Sequence, residues 1–397
     1  MRITDIQLFR VRGMIPRCLS FSEERQVGAL DLFPEYRARA VTPPTTAERA
    51  EERPIEGVYV EIATDEGVSG LFGPIMEAQA YLIDTQLRRY LIGQDPIAVE
   101  HIWDVLARHD RHGRKGYMMM AISAVDLALW DIRGKAAGMP VYRLLGGPTR
   151  EAVPAYASAL GYSLEPDKVR ERARAFVAQG FKAQKWFFRY GPGDGRVAIT
   201  RNMTLVRTLR EAVGDEVDLM FDAWLGWDVP FAIEMGKRMA PYHPRWLEEP
   251  VQPDRIESYA EIRRATGIPI AGGEHEYTRW GFKVLLDADA IDVIQADPDW
   301  TGGLTEMPKI CALASAYDKQ VIPHGHSVVP ALHLVASQSP AVCPLLEYLF
   351  LHNENKQWFH KTKFMPENGF IHLPTEPGLG IALDESRILA REELAWR

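Results

Sequence analysis

The chain of 397 residues reads as α/β: a (β/α)7β TIM-type barrel with an N-terminal α+β capping domain completed by the C-terminal tail. Three observations predict this. From Val153 onward, eight short apolar runs alternate with mostly amphipathic segments, the signature of parallel strands wrapped by helices. Polar residues close six successive runs, Asp222, Glu248, Glu274, Asp297, His324 and Glu347, at gaps of 26, 26, 23, 27 and 23 residues. One strand, one helix and two short loops take about 25 residues in such a barrel, so these side chains meet at one mouth. The first third lacks that alternation.

In chain order, ITDIQLFRV and GVYVEIATD alternate like strands, and the second runs into DEGVSG, a hairpin signal. The polar segment between them, residues 14–56, is long for a connection inside a compact domain, which marks it as functional or mobile. Helical patterns follow in AQAYLIDTQLRRYLIG, DPIAVEHIWDVLARH and MMMAISAVDLALWDIRGKAAG, the last stopping at Gly138 with Pro140 beyond. The expected division is a capping domain of residues 1–138, with 370–397 packing back on it, and a barrel of residues 139–369. The barrel strands are VPAYASA, KAQKWFF, DLMFDAW, RWLEEP, IPIAGGE, DVIQADP, QVIPHG and PLLEYL. Amphipathic helices are expected in DKVRERARAFVAQG, NMTLVRTLREAVG, VPFAIEMGKRMA, PDRIESYAEIRRATG and TEMPKICALASAYD.

Composition narrows the class. A net charge of −8 with no Lys/Arg-rich stripe excludes a nucleic-acid binder. The apolar runs stop short of membrane-spanning length, and the N-terminus has no signal-peptide core. The three cysteines, Cys18, Cys311 and Cys343, are scattered and fit a reducing compartment, so a cytoplasmic protein is expected.

Side-chain parity assigns the chemistry. Residues i and i+2 of a strand share a face, so Asp222 points with Met220, and Glu248 with Trp246. Carboxylates at the rim of an apolar interior repel one another, and a bound Mg2+ resolves that conflict. A single acid at a strand end is commonly a helix cap or a solvated residue, but Asp222, Glu248 and Glu274 at matching positions form a ligand set. Asp297 and His324 end neighbouring strands, where a carboxylate on one imidazole nitrogen fixes the tautomer and makes the other more basic. His326 reads as a loop hydrogen-bonder, and His275 either touches substrate or caps the next helix. Lys185 faces the mouth with Phe187, while Lys182 faces outward. Lys185 either holds a substrate carboxylate or gives up its own proton.

These residues resemble the enolase superfamily and, within it, the mandelate racemase subgroup. The resemblance lies in ISAVDLALWDIRGKAAGMPVYRLLGG, then FDAW, WLEEP, GGEH, QADPDWTGG, PHGHS and PGLGIALDE, in that order. It implies one Mg2+ per site on Asp222, Glu248 and Glu274, an Asp297–His324 proton-abstracting dyad, and Glu347 contacting the substrate carboxylate. Glu347, if protonated, would donate a hydrogen bond there. Residues 14–56 become a capping loop, where Arg37 and Arg39 are candidate substrate contacts and Trp224, His275 and Trp300 candidate pocket walls. Racemases of the subgroup carry Lys-x-Lys on the second strand, whereas this chain has Phe187 at the second of those positions. One-sided proton chemistry is similar to that of the L-rhamnonate dehydratase-type acid-sugar dehydratases. The expected function is a hydro-lyase acting on an aldonic acid, giving a 2-keto-3-deoxy acid, in a homo-oligomer. A racemase, epimerase or cycloisomerase of the same subgroup is the alternative. A zinc hydrolase barrel fits less well, since VPAYASA lacks the expected His-x-His.

Overall fold

The structure is a computed structural model that describes residues 1–16, 22–37 and 51–396. Arg39 and much of the expected capping loop lie outside the described residues. Strands β1 (Ile3–Pro16), β2 (Glu52–Thr64) and β3 (Ser69–Ile75) form an antiparallel meander. Alternation along β1 turns Ile6 and Leu8 to one face, while Phe9 and Val11 pack on the other with Tyr59 and Phe359. Helices Val99–His109 and Tyr117–Ala136 follow. The segment 78–93, expected as helical, forms two short α-helical pieces, Glu77–Leu82 and Arg88–Leu91, joined through a π-helical turn at Ile83–Leu87.

The eight expected barrel strands are present as β4 (Ala152–Ser158), β5 (Ala183–Phe187), β6 (Asp218–Asp222), β7 (Trp246–Glu248), β8 (Ile270–Gly272), β9 (Val293–Ile294), β10 (Gln320–Val321) and β11 (Leu346–Leu349). They pair in parallel, in the order β10-β9-β8-β7-β6-β5-β4-β11. The strand ladder is open between β10 and β11, where Val321 N–H donates to the Val342 carbonyl at 2.8 Å. Tyr156, Ala183, Met220, Trp246, Ala271, Val293 and Ile322 pack as one cluster against Leu345. Each comes from a different strand or its flank, so the sheet curls around a shared interior layer.

Helices connect the strands: Pro166–Ala178, Arg196–Val213, Val229–Met239, Ile256–Thr266, Thr278–Asp287, Gly303–Ala316 and Val328–Ser337. Two of these, Thr278–Asp287 and Val328–Ser337, are additional to the expected five. The second is buried at every position, so it carries no polar face for a periodicity to reveal.

The tail divides. Strand β12 (Phe370–His372) pairs antiparallel with β4, which corrects the expected boundary: residue 370 still belongs with the barrel. Strand β13 (Ala390–Glu393) then completes the N-terminal sheet against β1. The seam with the barrel is polar. Trp130 Nε1 donates to Thr305 Oγ1 at 2.9 Å, Thr305 N–H donates to Asp126 at 2.9 Å, and Gly302 N–H donates to Ser123 at 2.9 Å. Gly303 has φ +73°, and a Cβ there would meet Asp126 Oδ2 at 2.2 Å, so this approach requires glycine.

Two buried histidines fasten the same seam. His333 Nδ1 accepts from Tyr142 N–H at 3.1 Å while Nε2–H donates to the Leu379 carbonyl at 3.1 Å. His360 Nε2–H donates to the Gly73 carbonyl at 3.2 Å. Burial pushes both imidazoles down to about 4. The unfolded chain therefore takes up protons between pH 6.5 and 4 that the folded chain refuses, and stability falls as pH drops through that window. We expect each histidine to account for on the order of 3 kcal/mol of that loss. Urea midpoints from pH 7 to pH 4 should show a shallower decline in His333→Gln than in the unsubstituted chain. An unchanged slope would mean that His333 protonates freely in the fold.

Candidate active site

The polar floor of the barrel mouth follows from strand register. Met220 and Trp246 sit in the interior layer, so Asp222 and Glu248, two residues further on, point inward above them. Asp222 and Glu248 are register partners on β6 and β7, and Lys185 on β5 lies opposite Met220. Lys185 Nζ is 2.5 Å from Glu248 Oε1, 2.8 Å from Glu347 Oε1 and 3.8 Å from Asp222 Oδ2. Burial opposes its charge, but Glu248, Glu347 and their neighbours outweigh that and hold its pKa well above the usual lysine value.

Glu347 is the second acid that meets Lys185. Burial raises its pKa, yet Lys185 and His324 outweigh burial and bring it below the ordinary value. It is a carboxylate that accepts Gly325 N–H at 2.8 Å, not a protonated donor. The reach of Lys185 across the barrel is the physical reason.

The other acids are crowded. Burial lifts Asp222 to about 6 and Glu248 to about 8, with the neighbouring acids adding to the rise and Lys185 relieving part of it. Glu248 keeps its second oxygen on Trp246 Nε1 at 2.9 Å. Glu274 follows β8, with one oxygen 3.6 Å from His324 Nε2 and the other 3.4 Å from His275 Nδ1. Three oxygen-donor acids from consecutive strand ends, short of positive charge, fit a hard divalent cation. A tighter grouping, Glu249, Glu274 and His275, has donor atoms within 4.8 Å of one another. Burial and its acidic neighbours raise the Glu249 pKa well above the usual range.

His324 Nδ1 lies 2.7 Å from Asp297 Oδ2. Asp297 is itself fixed by Asp299 N–H at 2.7 Å. Burial alone lowers the imidazole pKa, but Glu274 and the Asp297 hydrogen bond outweigh it and lift it to about 10. With Nδ1–H given to Asp297, Nε2 is the nitrogen left for proton transfer, and it faces Glu274.

A cavity of about 890 Å³ opens over this floor, lined by Lys185, Asp222, Glu274 and His324 among others. Phe187, Trp224, His275 and Trp300 line it as well. The Trp300 ring centre lies 5.0 Å from that of His324 and 6.0 Å from that of His275. Trp224 has φ +35°, and its N–H donates to Asp222 at 2.8 Å. Arg37 is not among the residues lining the cavity. Its guanidinium lies against Gly193, and its carbonyl accepts from Arg25 at 3.0 Å. Among the described residues, Arg37 therefore packs beside the turn Pro192–Asp194 rather than lining the cavity.

Several lining residues escaped the sequence. Glu24, Arg25 and Gln26 come from the described part of the capping segment, and Gln26 helps keep Asp222 charged. Met76, Tyr117 and Met120 reach in from the N-terminal domain. Asp299 and His326 were legible in principle, because they stand two residues beyond Asp297 and His324. Lys356, which joins them, has no such signal.

Comparison with known proteins agrees with this geometry. A family model described as "Enolase C-terminal domain-like" matches residues 168–387, and one for the "Mandelate racemase / muconate lactonizing enzyme, N-terminal domain" matches residues 36–146. The chain is 35% identical over 369 residues to an L-rhamnonate dehydratase of Saccharopolyspora erythraea, covering 90% of this chain and 89% of that one. The structure of rhamnonate dehydratase from Gibberella zeae complexed with Mg superposes with a TM-score of 0.82 at 28% identity, over 97% of this chain and 95% of the other. The 3,6-anhydro-D-galactonate cycloisomerase of Zobellia galactanivorans gives a TM-score of 0.75 at 30% identity, over 97% and 98%.

Replacing Lys185 by Met should strand Glu248 and Glu347 as unpaired buried acids. We expect a loss of about 3–5 kcal/mol in chelator-treated protein, read from guanidinium midpoints. A midpoint equal to that of the unsubstituted chain would show that the floor does not need this ammonium.

Proposed function

The chain belongs to the mandelate racemase / muconate lactonizing enzyme family of the enolase superfamily, and from that premise we propose that it is an Mg2+-dependent acid-sugar dehydratase, a carbon–oxygen lyase acting on an aldonate such as L-rhamnonate. The observation that carries this reading is the 2.7 Å Asp297–His324 pair beside three crowded carboxylates.

Asp222, Glu248 and Glu274 hold the Mg2+. When bound, it supplies Lewis-acid polarisation of the substrate carboxylate, which makes the α-proton acidic enough to remove. Lys185 holds Glu248 and Glu347 in place and favours the charged form of each. Trp300 and Phe187 wall the cavity and keep the reacting carbons away from bulk water. Asp297 holds the His324 tautomer, so Nε2 takes the proton from C2. Electrons from that C–H bond form the C2–C3 double bond as the 3-hydroxyl departs. The proton on His324 goes to that hydroxyl, which leaves as water. The enol then becomes a 2-keto-3-deoxy acid.

One-base chemistry is supported by Lys185, which is buried among acids and strongly biased toward its charged form, so it is not free to act as a second base. An epimerase would need such a base on the opposite face. Among the described residues, no helix is long and apolar enough to cross a membrane. A cytoplasmic homo-oligomer with a small-molecule substrate completes the proposal.

We expect His324→Asn to lower keto-acid formation by about 10²–10⁴-fold and to abolish exchange of the C2 proton with solvent deuterium. Exchange persisting in that variant would move the base elsewhere. Chelation should stop turnover, and added Mg2+ should restore it. Deuterated substrate isomers in place of keto acid, seen by NMR, would establish the epimerase instead.

A further inference from the structure

We propose that His326 and His352 form a neutral subsite that reads a hydroxyl group on the substrate carbons beyond C3, so that the cavity selects aldonates over aldarates. This rests on the acid-sugar reading above and names the residues that refine it. Both imidazoles line the cavity, and their ring centres are 4.9 Å apart. The Trp300 ring lies 4.8 Å from that of His326, which ties this wall to the dyad.

Hydrogen-bond partners fix both tautomers. His352 Nε2 is 2.9 Å from the His326 carbonyl oxygen. A carbonyl only accepts, so Nε2 carries the proton and Nδ1 keeps its lone pair. His352 Nδ1 has no hydrogen-bond partner among the described residues. His326 Nδ1 is 3.1 Å from Asp299 Oδ2, and a carboxylate only accepts, so Nδ1–H donates there and Nε2 keeps its lone pair. Lys356 Nζ lies over the face of the His326 ring, 2.8 Å from Nδ1 and 3.4 Å from Nε2. The same ammonium donates to Asp299 at 2.8 Å, and this contact balances its charge. The wall therefore presents two acceptors, with no net charge.

A hydroxyl group has a proton to donate to either of them. A carboxylate only accepts, so at this place it would leave the His352 lone pair facing another acceptor. Burial, reinforced by Lys356, lowers the pKa of both rings, so neither becomes cationic to meet a second carboxylate. Asp297, Asp299 and His326 also have donor atoms within 4.8 Å of one another. Lys356 already supplies the cation there, so this group is not a second metal site.

The test uses full-length protein carrying His324→Asn, so that bound acids are not consumed. Calorimetry in MgCl2 measures binding of five- and six-carbon aldonates and of the matching aldarates. The aldonates should bind about tenfold more tightly. His352→Gln keeps a donor toward the His326 carbonyl but deletes the acceptor, and it should reduce that preference about tenfold. His352→Asn retains an acceptor near the Nδ1 position and should preserve it. A preference unchanged in His352→Gln, lost equally in both variants, or favouring aldarates from the start overturns this subsite while leaving the acid-sugar reading intact. Binding of neither class overturns both.

Discussion

The buried ammonium of Lys185 is the constraint on which the mouth of the barrel depends. It touches Glu248 and Glu347 and lies near Asp222, on top of an interior layer that is almost wholly apolar. Ions in such surroundings are costly unless paired, and removing one partner strands the others. Lys185 balances only part of the acidic charge around it, and the unbalanced remainder is what gives the floor an affinity for a second, exchangeable cation. One positive charge is built into the chain; the other comes from solution.

That division separates the tasks of the cavity. The floor, made of strand ends, is held in register by the sheet and carries the groups proposed for the proton chemistry. The walls come from loops and from the N-terminal domain. Trp224 belongs to both: its backbone N–H fixes Asp222, while its ring lies against Gly28, where a Cβ would come within 3.2 Å. Glu249, at φ +38° directly after Glu248, shows that the chain accepts local strain to present adjacent acids differently.

The strands were readable because each ends an apolar run at nearly constant spacing, and parity then set which side chains face inward. The buried helix Val328–Ser337 was not readable, because a helix covered on all sides has no amphipathic stripe. Asp222, Glu248, Glu274, Asp297 and His324 were nominated by position alone. The ionisation of Glu347 was left open by its position, since it depends on a lysine two strands away around the barrel. Arg37 was nominated from its charge, and charge alone does not say which way a turn points. Lys356 lies in the short helix Phe350–Lys356, outside every repeat in the chain.

The contacts of Ser123, Asp126 and Trp130 with the start of the helix Gly303–Ala316 have a further consequence. That helix follows directly from the loop bearing Asp297, so the geometry of the dyad is inherited from a helix that never meets substrate. Substitution along this hidden joint therefore disturbs the floor of the site from a distance. A chain that exchanged its N-terminal domain for a relative's would have to bring the matching serine and aspartate with it.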